Sequence, residues 1–142
     1  MIKKSILLAC PMDRAFYLFT QAASEWWPLE RRHTQDPLSQ IQMLPSGRFW
    51  ERAADGHEVD LGHVREWDPP HRLVLDFYPG TDAQHPTLVV VTFAAEGDAT
   101  RVTVDHRPTA VSEDLWKLRV PRFEQSWELV LAAFARHSAM AL

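Results

Sequence analysis

Polar and apolar residues alternate through the middle of the chain with a period of two. Val102, Val104 and His106 share one parity, Phe49 and Glu51 share another, and Thr87 to Ala95 is rich in Leu, Val and Phe. Alternation marks a half-buried strand, and a nearly unbroken apolar run marks a central one. This pattern predicts strands over residues 2–9, 39–44, 48–54, 58–67, 72–78, 87–95 and 100–107. Turn chemistry separates them: Pro45-Ser46-Gly47, Asp55-Gly56, Asp68-Pro69-Pro70, Pro79-Gly80 and Glu96-Gly97-Asp98.

Two regions show a helical spacing instead. After Pro11 and Asp13, both suited to a first helical turn, Ala15, Leu18 and Phe19 fall on one face. A second short helix over 22–27 ends at Pro28, and residues 29–37 read as a polar loop. Near the C-terminus, Phe123, Trp127, Val130, Leu131 and Phe134 form a wide apolar stripe. Ser112-Glu113-Asp114 provides a helix start, and Pro121 is expected to break or kink the helix at that point. Such a stripe must lie on a large apolar surface, and the sheet is the only one available. Connections between strands are too short for parallel crossovers. The expected fold is α+β: a curved antiparallel sheet of about six strands around a long C-terminal helix, with two short helices after the first strand.

Composition narrows the class. The 142 residues suit a single domain, expected over 1–142, and 46% hydrophobic with 24% charged residues is a globular balance. Fifteen basic against 19 acidic side chains give a net charge of -4, which disfavours a nucleic-acid partner. One cysteine allows no internal disulfide and fits the cytoplasm. No apolar run approaches the ~18 residues of a membrane span, and the start lacks a secretory leader.

Several motifs occur in a fixed order: Pro45-Ser46-Gly47-Arg48-Phe49-Trp50-Glu51-Arg52, Leu61-Gly62-His63-Val64, and Trp67-Asp68-Pro69-Pro70-His71-Arg72-Leu73. Then come Thr87 to Phe93 and Gly97-Asp98-Ala99-Thr100-Arg101-Val102. With Trp26-Trp27-Pro28 early and Ser126-Trp127-Glu128 late, the chain resembles the START-like, helix-grip (SRPBCC) superfamily. Within it, the chain is most similar to the branch related to the C-terminal domain of the activator of the heat-shock-protein-90 ATPase. Ser46, Phe77 and Ala99 depart from the usual pattern, where glycine, tryptophan and glycine are common. The resemblance implies a helix-grip fold with an internal cavity. It implies no shared catalytic set, because the superfamily spans carriers, receptors, cyclases, hydrolases and chaperone partners.

The residues offer little catalytic chemistry. The seven histidines include no metal-binding pair, and no metal or cofactor is expected. Cys10 has no His-Asn arrangement beside it, and the Glu30-Arg31-Arg32-His33 cluster reads as a solvated loop. Parity aims His106 and Glu51 inward, and a buried carboxylate needs a partner. A Glu51–His106 pair would be either an acid/base unit or a structural link.

The leading expectation is a domain that binds a hydrophobic or amphipathic small molecule between sheet and helix. Trp26, Trp27, Phe49, Glu51 and Phe77 are expected to line that space. Val91, Phe93, His106, Trp127 and Leu131 are expected there too. Two alternatives stay open: a chaperone or other protein-partner module, and an enzyme using the Glu51–His106 pair. A monomer or homodimer is expected.

Overall fold

A computed structural model describes residues 1–45 and 47–140. Ser46, one of the positions departing from the family pattern, lies outside the described residues. The elements in order are β1 (Ile2–Leu8), α1 (Met12–Thr20), two 3-10 turns (Ala23–Glu25 and Leu29–Arg31), β2 (Gln40–Met43), β3 (Arg48–Arg52), β4 (Glu58–Asp68), β5 (Arg72–Phe77), β6 (Thr87–Glu96), β7 (Ala99–Arg107) and α2 (Glu113–Met140).

All seven strands form one antiparallel sheet in the order β1-β7-β6-β5-β4-β3-β2. The expectation of about six strands is one short because β1 joins the meander's own sheet. It pairs along its whole length with β7, from Ile2 opposite His106 to Leu8 opposite Thr100. The register of β3 on β4 shifts between Phe49 and Trp50, and that of β4 on β5 between Val64 and Glu66. Such irregularities increase local twist and help a sheet curl. Gly62 sits between them, where an added Cβ would collide with the Asp76 carbonyl oxygen. Only glycine permits so close an approach.

The second expected short helix is a single 3-10 turn, and the predicted loop holds another. Trp26, Trp27 and Pro28 separate them, and Pro28 cannot continue a hydrogen-bonded helix. Pro121, by contrast, is accommodated inside α2, which runs through it. The bulk of α2 beyond Pro121 still packs, because Phe123, Trp127, Val130, Leu131 and Phe134 are all buried. Lys4 of β1 reaches Glu128 of α2 at 3.2 Å, which ties the helix to the sheet edge.

The space between sheet and α2 has two unlike ends. At one, Phe93 of β6 packs on Phe16 and Phe19 of α1, Phe19 meets Phe134, and Trp26 stacks on Phe134 with centroids 4.4 Å apart. Val91, Phe93, Val102, Val104, Leu131 and Phe134 are buried there or beside it, as the alternation predicted. The other end lies where β5 finishes and β6 begins, and it is not filled.

Candidate functional site: a ring-lined cavity beneath an arginine rim

The unfilled end holds a cavity of about 270 Å³, open at one side. Its floor and walls are Trp27, Phe49, Leu61, Phe77, Phe123, Trp127 and Val130. The mouth carries Glu30, Arg31, His33 and Gln35 from the loop before β2, and Arg122 and Ser126 from α2. Pro79 and Gly80 of the β5–β6 connection close another side. Gly80 has φ +83, and an added Cβ there would collide with the Phe123 ring.

A polar chain fixes one wall. His106 is fully buried among the rings of Phe77, Trp116, Phe123 and Trp127. The Trp127 indole N–H donates to His106 Nδ1 at 2.9 Å. Because an indole nitrogen can only donate, Nδ1 must be bare and Nε2 must carry the ring proton. Nε2 then donates to Thr87 Oγ1 at 2.7 Å, and that hydroxyl donates to the Phe77 carbonyl at 3.2 Å. Every polar atom of the chain is satisfied with His106 neutral. Burial pushes the His106 pKa down to about 3, against a small opposing pull from Asp105.

Glu51 is fully buried but serves a different purpose. Its carboxylate accepts the backbone N–H of His33 at 2.8 Å, that of Thr34 at 2.9 Å, and the Thr34 hydroxyl. Burial raises its pKa, yet these donors together win and hold it below the ordinary value. Arg32 lies buried nearby, donating to the carbonyls of Trp27, Ser39 and Ser24. Asp36 adds bonds to the N–H groups of Leu38 and Ala54. The loop is therefore pinned to β3 from beneath, and its exposed residues become a fixed rim. The expected direct Glu51–His106 pair is not made: each group is saturated by other partners.

Four of the ten expected lining residues face the cavity: Trp27, Phe49, Phe77 and Trp127. Trp26, Val91, Phe93 and Leu131 belong to the packed core, and Glu51 and His106 lie behind the walls. Trp26 is held by its indole N–H to the Leu18 carbonyl at 2.7 Å, and Trp27 donates its indole N–H to the Arg31 carbonyl at 3.3 Å. Their neighbours sort by parity and by burial alike, so inward aim could not separate core from wall. The rim residues Arg31, His33 and Arg122 were missed. The Glu30–His33 cluster read as solvated loop is instead the mouth, with Arg31 half-buried and Arg32 only 5% exposed. The sequence signal for them was the Arg31-Arg32-His33 run shortly after Trp26-Trp27-Pro28.

At His33, which is exposed at the mouth, partial desolvation of the ring together with nearby Arg122 pulls the pKa below its ordinary value, against the opposing charge of Glu51. Burial likewise raises the Cys10 thiol pKa, leaving it an inert core residue. Among the described residues no group of His, Cys, Asp and Glu could hold a metal ion, and no helix is long and apolar enough to cross a membrane.

The model of the family described as activator of Hsp90 ATPase homolog 1-like protein matches residues 9–139. No curated protein matches the chain by sequence. Among solved structures, CalC from Micromonospora echinospora, a self-sacrificing resistance protein, is 26% identical with a TM-score of 0.74, over 99% of this chain and 94% of its own. Txn09, an anthrahydroquino-gamma-pyrone synthase, is 25% identical with a TM-score of 0.59, over 95% and 94%. An HSP90 activator from Plasmodium falciparum is 17% identical with a TM-score of 0.52, over 80% and 76%, and shares the fold.

Proposed function

The chain belongs to the activator of Hsp90 ATPase homolog 1-like family, and we propose that it binds a hydrophobic or amphipathic small molecule in the cavity between sheet and α2. One observation carries this reading: five aromatic side chains converge on unfilled space in a grip whose other end is packed solid. Interiors are normally filled to crystal-like density, so a ring-lined void open at one side is a built feature. Trp27, Phe49, Phe77, Phe123 and Trp127 supply the contact area, and ring faces suit a flat apolar body. The volume favours a ligand of one or two fused rings over a long lipid.

The wall itself supports binding rather than turnover. His106 is neutral and committed at both nitrogens, and Glu51 accepts three bonds from the loop. Neither presents a free lone pair or proton to the cavity. Txn09 is a synthase, but any comparable chemistry here would need groups other than this pair. The exposed large apolar side chains, among them Leu7, Tyr17, Leu38 and Leu118, come from β1, α1, the loop before β2 and α2. The lone buried Cys10 fits a cytoplasmic setting.

Calorimetric titration with 2-naphthamide, a neutral two-ring probe, tests the reading. One molecule should bind per chain. Val130→Phe, which adds a ring on the cavity side of α2, should weaken binding at least tenfold while the protein still unfolds cooperatively. Absence of binding to the wild-type protein, or unchanged binding to the variant, would remove the cavity as the site.

A further inference from the structure

Five arginines along the sheet are each paired with a carboxylate: Arg48 with Glu58 and Asp60, Arg65 with Asp76, Arg72 with Glu66, Arg101 with Glu96 and Arg107 with Asp105. Among the described residues Arg14, Arg52, Arg119 and Arg136 form no ion pair either, but they do not line the cavity. Arg31 and Arg122 both line it, and among the described residues neither forms an ion pair. Glu30 shares the rim but reaches neither guanidinium within ion-pair distance. Arg32, the third arginine of the rim, is already consumed by three carbonyls and by the charge of Glu51.

The two free arginines stand on the same stretch of the rim. Arg31 Nε donates to Ser126 Oγ at 2.8 Å and Nη1 to the Glu30 carbonyl at 3.1 Å, leaving Nη2 without a protein acceptor. Arg122 stands one helical turn before Ser126, on the same face of α2. Phe123 and Trp127, the next positions along, face into the cavity. An apolar body resting on those rings therefore ends beside two guanidiniums that lack counter-ions, in a protein whose net charge is -4. Cations placed against a half-buried apolar cavity, without carboxylate partners, suit an anion supplied from outside.

We propose that the ligand of this cavity is an aromatic acid, with its rings on Phe123 and Trp127 and a single carboxylate or ionised phenol held by Arg31 and Arg122. This rests on the cavity-binding reading above and adds the charge and polarity of the ligand to it. The anion sits at the mouth, partly in water, so it keeps some hydration and is not buried unpaired. His33 shares the rim beside it.

The test compares 2-naphthoate with 2-naphthamide, which have the same rings and nearly the same shape, by calorimetry at pH 7.5. The wild-type protein should bind the carboxylate about tenfold more tightly than the amide, the size of one good charge-assisted contact. Added sodium chloride should shrink that preference, because the contact is partly exposed. In Arg122→Gln and in Arg31→Gln the carboxylate should lose most of its advantage, while the amide affinity stays within about twofold. Arg122→Gln is the safer variant, because that side chain is exposed and makes no hydrogen bond to the rest of the protein. Equal binding of both probes, or a carboxylate preference that survives both substitutions, overturns the proposal and leaves the cavity reading intact. Failure of both probes to bind overturns the cavity reading and this proposal with it.

Discussion

His106 is the residue whose chemistry the fold constrains most. The native state holds it neutral down to about pH 3, whereas an unfolded chain protonates it near its ordinary 6.5. Below pH 6.5 the unfolded state therefore binds more protons, and stability falls as pH drops from there toward 3. Two pH units of that window correspond to about 3 kcal/mol. Urea unfolding at pH 7.5 and 4.5 should show wild type losing about 3 kcal/mol more than His106→Gln over that interval, since glutamine has no proton to gain. A difference under about 1 kcal/mol would mean the ring is not held neutral. Glu51 makes the opposite kind of contribution. Glu51→Gln keeps the shape but sets an NH2 group among N–H and O–H donors and strips Arg32 of its buried counter-charge. The expected cost is about 3 kcal/mol. Amide exchange of His33 and Thr34 should accelerate specifically, and unchanged exchange there would show that Glu51 does not hold the loop. Inward aim was legible for both residues from parity with Phe49 and Val104. Their partners were not, because a period of two gives a direction and says nothing about which loop or ring waits at the end of it.

Strands and the long helix were readable because each carries its own periodicity. The 29–39 segment was not, because it has none. Its form depends on Glu51, Arg32 and Asp36 meeting groups up to 18 residues away in sequence, and no local pattern encodes that. The same contrast divides the helix from its neighbouring loop. Phe134 on α2 is fully buried against Phe19 and Trp26, so Phe134→Ala should cost ~3–5 kcal/mol in denaturant unfolding. A loss below about 1 kcal/mol would contradict the packing of α2 on the sheet. Gly80 looks like an ordinary turn glycine in the sequence, yet its backbone needs φ +83 and an added Cβ would run into the Phe123 ring. Gly80→Ala should therefore destabilise by more than ~1 kcal/mol and shift the Phe123 ring resonances, because both the backbone and the cavity wall must give. A neutral substitution would mean that the β5–β6 connection does not press on the helix.

On the proposed reading, the two ends of the grip divide stability from binding. One end is a closed aromatic core of α1, β6 and the late part of α2, and the other is a walled space with a charged mouth. A fold-level reading could supply the grip but not this division, since filled and unfilled inner faces carry the same kinds of side chain: Phe93 and Phe77 both end in rings pointing inward. Volume is decided by how neighbouring side chains meet, and here Phe16 and Phe19 fill one end, while at the other Pro79 and Gly80, close against Phe123, border the space without filling it. If the division is real, the two properties can be changed separately, because sites without shared partners add independently. Phe93→Leu should lower stability by roughly 1–2 kcal/mol through lost ring contacts with Phe16 and Phe19, yet leave 2-naphthoate affinity within about twofold. Trp127→Phe should do the reverse in proportion. It removes part of the cavity wall and the donor to His106, so affinity should fall about tenfold or more, with a stability loss of ~1–3 kcal/mol from the unsatisfied ring nitrogen. Calorimetry and urea unfolding on the same two variants decide the matter. A tenfold loss of affinity in Phe93→Leu would show that the core end shapes the cavity, and the molecule would then be one coupled unit.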